Sequence, residues 1–194
     1  MNDTELISQI LDGNMNAFTF LVNRYQKLVV HISGRLIQRQ DELEDVCQEV
    51  FIKVYQNLGK YRNECKLSTW IATIAYNSSV NYLRKFRKFD EVDPDDSISL
   101  RNLVDFRMEN YETIDLKHYI REQIELLPIQ YRTVVTLFHL EEFSYQEVEQ
   151  ITGMAEGTVK SYLFRAKALL REKLKHIVDE DSLKLVKEIS NEKG

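Results

Sequence analysis

Apolar residues recur at spacings of three and four along most of this chain, a pattern that indicates amphipathic helices and no credible strand. A first short run covers residues 7–11 and ends at Gly13, and a long second run covers residues 18–32. Two further runs cover residues 41–58 and 68–83. These four runs predict four helices that pack as one bundle in the amino-terminal half.

Local signals predict the ends of the third and fourth helices. Asp41, followed three residues later by Glu44, predicts a capping box at the start of the third helix, and Gly59 is suited to end it. A loop over residues 60–67 leads to the fourth helix, which we expect to begin at Ser68.

A segment of different composition separates this half from the next. Residues 90–110 are acidic, contain Pro94 and hold few large apolar side chains, so we predict a flexible linker there. An amphipathic run near residues 111–127 predicts another helix. Pro128 suits the first position of the helix that follows, where its missing N–H costs nothing. The expected fold class is therefore all-α, with two small helical domains.

The end of the chain carries the pattern of a helix-turn-helix. Ser144 and Glu147 predict a capping box on a short helix, and Gly153 suits the tight corner that ends it. The following helix has one apolar stripe, formed by Val159, Leu163, Ala166 and Leu170. Its other side is cationic, as suits phosphate and base contacts in the DNA major groove, although a solvated basic face would give the same periodicity.

The charge of the chain changes this picture. Its 194 residues have a formal net charge of -5 and an isoelectric point near 5.5, which argues against a DNA binder that works alone. Cations cluster at residues 84–88 and 160–175, so charge is segregated and a partner is expected to help. No apolar run approaches the roughly 18 residues needed to span a bilayer, and no signal sequence is evident, so we expect a cytoplasmic protein. Cys47 and Cys65 lack the spacing of a zinc site.

The helix-turn-helix carries a family resemblance. Several short stretches resemble region 4 of the extracytoplasmic-function sigma factors, the group-four members of the sigma-70 family: residues 144–148 (SYQEV), Gly153, residues 157–161 (GTVKS), residues 165–167 (RAK) and residues 170–171 (LR). The resemblance implies that this helix reads the minus-thirty-five promoter element. The residues that would contact DNA are Thr158, Lys160, Ser161, Phe164, Arg165 and Lys167.

Two segments in the first half resemble region 2 of the same family. Residues 41–53 resemble region 2.2, which docks on the beta-prime clamp of RNA polymerase, although an ordinary solvated acidic face is the alternative. The residues implied in that docking are Glu44, Asp45, Gln48 and Glu49. Residues 61–85 resemble regions 2.3 and 2.4, which recognise and melt the minus-ten element. The residues implied there are Tyr61, Arg62, Asn63, Lys66, Asn77, Asn81, Arg84 and Lys85.

Simpler roles are open for two parts of that second segment. Trp70 shares a stripe with Ile74, so core burial is the favoured interpretation over DNA stacking. The cations at 84–88 also suit the negative end of a helix dipole, a role that is compatible with phosphate contact.

The resemblance predicts how the chain is organised and what it binds. Region 2 would occupy residues 1–89, the linker 90–110, region 4 residues 111–175, and a charged tail 176–194. Expected partners are core RNA polymerase, through its beta-prime clamp and beta flap, promoter DNA and an anti-sigma factor that could hold the protein at the membrane. We expect no cofactor, no metal, no small-molecule substrate, no membrane insertion and no catalysis, since the polymerase makes the bonds.

Several residues depart from the family pattern, in region 2 and most of all in the helix-turn-helix. They are Leu67, Asn81, Glu149, Thr152, Ala155 and Tyr162. Glu149 stands where a small packed residue is usual, so we expect it to tilt outward or to meet a cation. Thr152 replaces a larger apolar residue, and Ala155 lacks a capping side chain. These changes predict a region 4 that is less stable, or differently selective.

Two other classes of protein fit these patterns less well. A conventional helix-turn-helix regulator would need a sensing domain in its first half, but that half lacks the alternating strands and helices of a receiver domain. A helical enzyme would need a reactive cluster. The four histidines share no metal-site or nucleophile spacing with carboxylates or cysteines; they are His31, His118, His139 and His176.

Overall fold

The computed structural model of this chain describes residues 2–86 and 116–174. All regular structure within these residues is helical, so the all-α prediction is confirmed. The predicted linker, the tail over residues 176–194 and the cations at residues 87 and 88 lie outside the described residues.

The first four helices pack as one bundle, which we call the amino-terminal bundle. It contains α1 (Asp3–Leu11), α2 (Met15–Gly34), α3 (Gln40–Asn57), a single 3-10 turn (Leu58–Lys60) and α4 (Leu67–Phe86). Helices α2, α3 and α4 pack against one another, and α1 packs on α2. Their apolar stripes meet in a shared core whose fully buried members include Leu21, Val29, Val50 and Ile71.

The start of α3 differs from the sequence prediction, because the predicted capping box at Asp41 and Glu44 is wrong. The helix begins at Gln40, and Arg39 in the N-cap position makes no side-chain cap bond. Asp41 lies inside the first turn, where its Oδ2 accepts a hydrogen bond from Arg39 at 2.5 Å. This hydrogen bond lowers the pKa of Asp41. Because the helix begins at Gln40, Asp41 is not in the N-cap position, and its strongest partner is the charged Arg39.

The second group of helices forms the carboxy-terminal bundle. It contains α5 (Leu116–Glu125), α6 (Ile129–Val135), a π turn (Thr136–Leu140), α7 (Tyr145–Thr152) and α8 (Glu156–Leu174). Pro128 is the N-cap of α6 and not its first helical residue, with an extended ψ of 144°. The π turn, which the sequence pattern did not predict, closes with a hydrogen bond from the Glu141 amide to the Thr136 carbonyl at 2.9 Å.

The two bundles contact each other directly. Helix α4 packs along α7, and α2 meets the π turn. The His31 Nδ1 of α2 lies 2.6 Å from the Glu141 carboxylate. Arg35, at the end of α2, pairs with Glu125 of α5. Polar side-chain contacts and helix packing together therefore hold the described residues in a closed arrangement.

Candidate nucleic-acid interface

The helix-turn-helix forms as its sequence predicts. Ser144 caps α7, and its hydroxyl accepts from the Glu147 amide at 3.3 Å. The Glu147 carboxylate accepts in return from the Ser144 amide at 2.9 Å, which completes the capping box. Gly153 ends α7 with a φ of +75°, the left-handed conformation that glycine adopts without steric cost.

Thr152 has a local role at this corner. Its hydroxyl donates to the Val148 carbonyl at 2.8 Å and accepts from the Met154 amide at 3.2 Å. The side chain thus binds one of the carbonyls near the end of α7 and the amide that follows the corner. Replacement of an apolar residue by threonine at this position is therefore compensated by two hydrogen bonds.

The following helix, α8, has the two faces expected of it. Val159, Leu163 and Ala166 are buried against the rest of the carboxy-terminal bundle. Phe164, on the opposite side, is 76% exposed, so its ring is accessible to a binding partner. The other predicted minus-thirty-five residues are also accessible: Thr158 is half-buried, and Lys160, Ser161, Arg165 and Lys167 are exposed.

Neighbouring side chains hold part of this face in place. Lys160 pairs with Glu156 at 2.5 Å and lies 5.1 Å from the centre of the Tyr145 ring. Tyr162 packs edge-on against Tyr131 of α6, with 5.3 Å between ring centres. The tyrosine that departs from the family pattern therefore serves as a packing contact between α8 and α6.

Two other departures in the helix-turn-helix have simple outcomes. Glu149 is exposed, so it tilts outward as expected and pays no burial cost. Ala155 occupies the position before α8, where its carbonyl accepts from the amides of Thr158 and Val159 at 2.8 and 3.1 Å. Backbone geometry alone therefore starts α8 there.

A groove of about 350 Å³ lies between α3 and α4 in the amino-terminal bundle. Its walls combine amide, ammonium, hydroxyl, aliphatic and aromatic groups, which belong to Lys53, Asn57, Lys60, Trp70, Ile74, Asn77, Ser78 and Asn81. Amides can hydrogen-bond base edges, an indole offers a stacking surface and ammonium groups bind phosphates. The groove can therefore accommodate a nucleotide on chemical grounds.

The groove brings together only part of the predicted minus-ten set. Asn77 and Asn81 line it, whereas Lys66 contacts the other bundle. Arg62 and Asn63 are exposed on the preceding loop, Arg84 and Lys85 are exposed in the last turn of α4, and Tyr61 is half-buried.

Sequence reasoning missed Lys53, Asn57 and Lys60 as members of the groove. Lys53 lies 2.5 Å from Glu49 and donates to the Ser78 hydroxyl at 3.1 Å, so it connects α3 with α4. A lysine on the polar side of α3 carries no signal of its own. Only the packing of α3 on α4 places it beside Asn77 and Asn81.

Trp70 joins the core to the groove. It is half-buried against the core of the bundle, as favoured from its stripe, and it also lines the groove. The Tyr61 ring lies 5.4 Å from the Trp70 ring, and the Tyr61 hydroxyl donates to the Cys65 carbonyl at 2.6 Å. The loop before α4 is therefore folded back onto the indole.

The first turn of α4 binds a carboxylate from the other bundle. Glu147 Oε1 accepts from the Thr69 hydroxyl at 3.0 Å and lies 3.1 Å from the Lys66 ammonium. Partial burial opposes ionisation of Glu147, but hydrogen bonds from Ser144, Lys66 and Thr69 outweigh it and lower its pKa to about 2. Glu147 is therefore fully ionised at neutral pH.

The predicted polymerase-binding residues share one accessible face of α3. Glu44, Asp45, Gln48 and Glu49 are all exposed, while Val46 and Val50 point into the core. Glu44 accepts a hydrogen bond from Gln40 at 2.8 Å. This face is therefore acidic and does not contribute to the core of the bundle.

Two other features are absent from the described residues. Residues 2–86 and 116–174 contain no group of three or more His, Cys, Asp or Glu side chains that could hold a metal ion. None of the helices in this part of the chain is both long and apolar enough to cross a membrane.

Comparison with known proteins matches both halves of the chain. The family model for Sigma-70 region 2 matches residues 21–89, and that for Sigma-70 region 4 matches residues 117–170. A protein of Haemophilus influenzae named ECF RNA polymerase sigma-E factor is 31% identical over 187 residues, which are 92% of this chain and 98% of that protein. The Escherichia coli K12 protein of the same name is 31% identical over 186 residues, with 92% and 97% covered.

Solved structures support the same fold. CnrH, in a complex with the cytosolic domain of CnrY, superposes with a TM-score of 0.62 at 20% identity, covering 91% of this chain and 99% of that one. The sigma factor RpoE of Bartonella quintana, in a complex with the anti-sigma factor NepR, gives 0.61 at 22% identity, with 81% and 96% covered. Both family models match this chain, and its relatives are matched over nearly their whole length. The chain therefore belongs to the extracytoplasmic-function sigma factors of the sigma-70 family.

Proposed function

We propose that this sigma factor binds core RNA polymerase through the acidic face of α3 and directs the enzyme to promoters with two elements. The observation that carries the proposal is the presence of both region 2 and region 4, in order, on a chain that covers nearly all of its relatives. The polymerase makes the bonds, and this chain supplies positioning. Glu44, Asp45, Gln48 and Glu49 would meet the beta-prime clamp, and region 4 the beta flap.

The groove between α3 and α4 is our candidate site for the melted minus-ten strand. Asn77 and Asn81 offer donors and acceptors to base edges, and Lys53 and Lys60 offer charge to phosphates. A base that has left the stack needs such a combination of aromatic, amide and cation. The exposed Arg62, Asn63, Arg84 and Lys85 would extend this surface along the strand.

The exposed face of α8 is our candidate reader of the minus-thirty-five element. Lys160 and Lys167 suit phosphate contacts, and Arg165 suits bidentate bonding to guanine in the major groove. Ser161 and Thr158 can bond either a phosphate or a base, and Phe164 offers an apolar contact.

An anti-sigma factor is a further proposed partner. RpoE of Bartonella quintana, whose fold this chain shares, was solved with the anti-sigma factor NepR. The acidic face of α3 and the cationic face of α8 are both exposed in the described residues and offer opposite charges to such a partner. A stable one-to-one complex of this chain with a second protein, recovered from cells that express the chain, would support this assignment. The complex should be lost when the cells receive the signal that activates the sigma factor.

Reconstituted transcription tests the proposal. Core polymerase, this chain and a library of genomic fragments from the source organism should give transcripts with discrete start sites, which share two upstream elements. Core polymerase alone should give none of them. Tight promoter binding by the chain alone, with no added initiation, would identify it as a conventional regulator instead.

The role of α8 can be tested within the same assay. Arg165→Ala should lower initiation roughly tenfold or more at promoters that depend on the minus-thirty-five element, since a bidentate arginine contributes about 1–3 kcal/mol of discrimination. Arg171→Ala, on the last turns of the same helix, is the matched control and should have a smaller effect. Equal loss at promoters without that element would contradict insertion of α8 into the groove.

A further inference from the structure

Glu147 joins two tasks in one carboxylate. Its Oε2 accepts from the amide and hydroxyl of Ser144, both at 2.9 Å, and so completes the cap of α7. Its Oε1 binds Thr69 and Lys66 of the amino-terminal bundle. One oxygen, Oε2, therefore makes contacts within α7 and its cap, and the other, Oε1, makes contacts with the amino-terminal bundle. Separation of the bundles would free Oε1 and leave the cap of α7 in place.

The groups that bind Oε1 form a site for an anion. Lys66 supplies an ammonium and Thr69 a hydroxyl, and both lie at the start of α4, where the free backbone amides of the helix favour negative charge. Lysine, hydroxyl and helix N-terminus are the donors that hold phosphate oxygens in complexes with nucleic acid. A carboxylate from the other bundle occupies this site in the closed arrangement, and Thr69 is 0% exposed beneath it.

The closed arrangement does not suit a chain bound to both promoter elements. The names minus-thirty-five and minus-ten give positions that differ by about 25 base pairs. At 3.4 Å per base pair, this corresponds to roughly 85 Å of duplex. A helix of 20 residues spans about 30 Å, so two small bundles in direct contact are too close together to reach both elements. The bundles must separate during promoter recognition, and Glu147 must then leave Lys66 and Thr69.

We propose that Glu147 is a reversible latch, and that the site it leaves on Lys66 and Thr69 then holds a phosphate of the promoter strand. The DNA part rests on the proposed function, since Lys66 belongs to the minus-ten surface. The carboxylate occupies the place of the phosphate in the free chain, so region 4 competes with DNA for region 2. Exchange of one anion for another leaves neither Lys66 nor Thr69 without a partner at the end of the step.

Other contacts keep the latch from acting alone. The pairs His31–Glu141 and Arg35–Glu125 also close the interface. Loss of the Glu147 charge should therefore shift the balance towards the open form without abolishing the closed one. An effect of about fivefold on binding at the freed site matches the strength of a single accessible ion pair.

Glu147→Gln is the most informative variant. Glutamine also serves as the third residue of a capping box, so the cap of α7 is kept while the charge that meets Lys66 is lost. Glu149→Gln is the matched control, because it removes the same charge from an exposed position on the same helix. The probe is a mixed-sequence, single-stranded DNA of about 20 nucleotides, whose binding to the full chain is followed by fluorescence anisotropy without polymerase.

We expect Glu147→Gln to bind this DNA about fivefold more tightly than the wild type, and Glu149→Gln to gain clearly less. Fluorescent labels at Gln26→Cys and Ala168→Cys, with Cys47 and Cys65 replaced by serine, should report a larger separation in the glutamine variant at position 147. If the two glutamine variants bind alike and show the same label separation, Glu147 is not a latch.

A double variant tests the phosphate site separately. In Glu147→Gln/Lys66→Ala the bundles remain freed, but the gain in affinity should vanish and the slope of log affinity against log salt should weaken by about 0.7. Lys66 is 74% exposed, so this variant keeps the fold. Affinity equal to that of Glu147→Gln would overturn phosphate binding and leave the latch intact. Failure of the wild type to support transcription would instead count against the proposed function alone.

Discussion

Two residues that depart from the family pattern fit the helix-turn-helix by different means. Glu149 is exposed, so its charge stays in water. Its side chain does not pack against α8, where the family usually has a small residue. Thr152 is half-buried, and its hydroxyl bonds both sides of the corner. A third departure, Ala155, lacks a compensating side-chain contact, because no side chain caps α8 there.

The hydroxyl of Thr152 gives a prediction for stability. Thr152→Val removes both of its hydrogen bonds at nearly constant volume and should lower the free energy of unfolding by about 1 kcal/mol. Thr152→Ser keeps the hydroxyl and should lose less. Urea denaturation followed by circular dichroism would measure both variants. A valine variant as stable as the wild type would show that the corner does not depend on this hydroxyl.

The low pKa of Glu147 gives a prediction for pH dependence. Its pKa falls from 4.5 to about 2 in the folded chain, so the unfolded chain takes up a proton first as the pH drops. The stabilisation from Glu147 is therefore complete above about pH 4.5 and is lost as the pH falls towards 2. The facing groups are Lys66, Thr69 and Ser144, and no second carboxylate is among them.

Urea denaturation at a series of pH values would check this. The difference in free energy of unfolding between wild type and Glu147→Gln should be constant from pH 7 to 5 and should shrink between pH 4.5 and 2. Glu149→Gln should show no such change. A difference that disappears near pH 6 would point to another titrating group.

At the scale of elements, α3 separates its two duties by face. Val46, Val50 and Val54 fill the core, while the exposed side carries the acidic residues assigned to the polymerase. Glu49 also contacts Lys53, which belongs to the groove. One helix thus connects the proposed polymerase surface with the proposed minus-ten surface.

This division gives a prediction for polymerase binding. Simultaneous replacement of Glu44, Asp45 and Gln48 by alanine should weaken binding to core polymerase at least tenfold, because three exposed polar contacts are removed together. Circular dichroism and the melting temperature should change little, since none of the three packs in the core. A matched triple variant on α2, Asn23, Gln26 and Lys27 to alanine, should bind normally. Unchanged affinity of the first variant in a titration would refute the assignment.

The elements themselves were largely predictable from sequence, because their signals are local. Apolar periodicity identified every helix of the amino-terminal bundle, and Ser144, Glu147 and Gly153 identified α7 and its corner. The prediction failed at Asp41 because the helix begins at Gln40, so Asp41 lies in the first turn, where its carboxylate bonds Arg39. It failed at the π turn because no residue in Thr136–Leu140 signals an extra residue per turn.

At the scale of the whole molecule, charge and closure act together. The chain has a formal net charge of -5, so its long-range electrostatic interaction with DNA is weakly attractive or repulsive. In the closed arrangement Lys66 is neutralised by Glu147. We therefore expect a free chain of this kind to bind promoter DNA tightly only together with core polymerase.

Binding to duplex DNA provides a test. Without polymerase, the chain should bind promoter duplex with a dissociation constant of micromolar or weaker at about 150 mM salt, in the range of non-specific contacts. With core polymerase, the same duplex should be bound far more tightly and should be protected over both elements. Gel-shift and footprinting experiments measure the two cases. Nanomolar binding by the free chain would contradict this dependence.

The sites were less predictable than the helices, since they depend on contacts between distant parts of the sequence. Thr69 and Glu147 are 78 residues apart, and nothing near either residue indicates the other. Lys53 became a groove residue only through the packing of α3 on α4. The family resemblance supplied Asn77 and Asn81, but it supplied neither Lys53 nor the closed interface.

The π turn has a consequence for how sequences of this kind can vary in length. It inserts one residue more per turn than an α-helix, and each helical residue turns the chain by about 100°. Deletion of one residue there would rotate everything that follows relative to α6. Phe143, now 6% exposed, would leave the core, and the side of the turn that meets α2 would face elsewhere. We therefore expect residues 136–143 to act as a spacer of fixed length, in which a deletion or insertion displaces more of the chain than the replacement of an exposed side chain does.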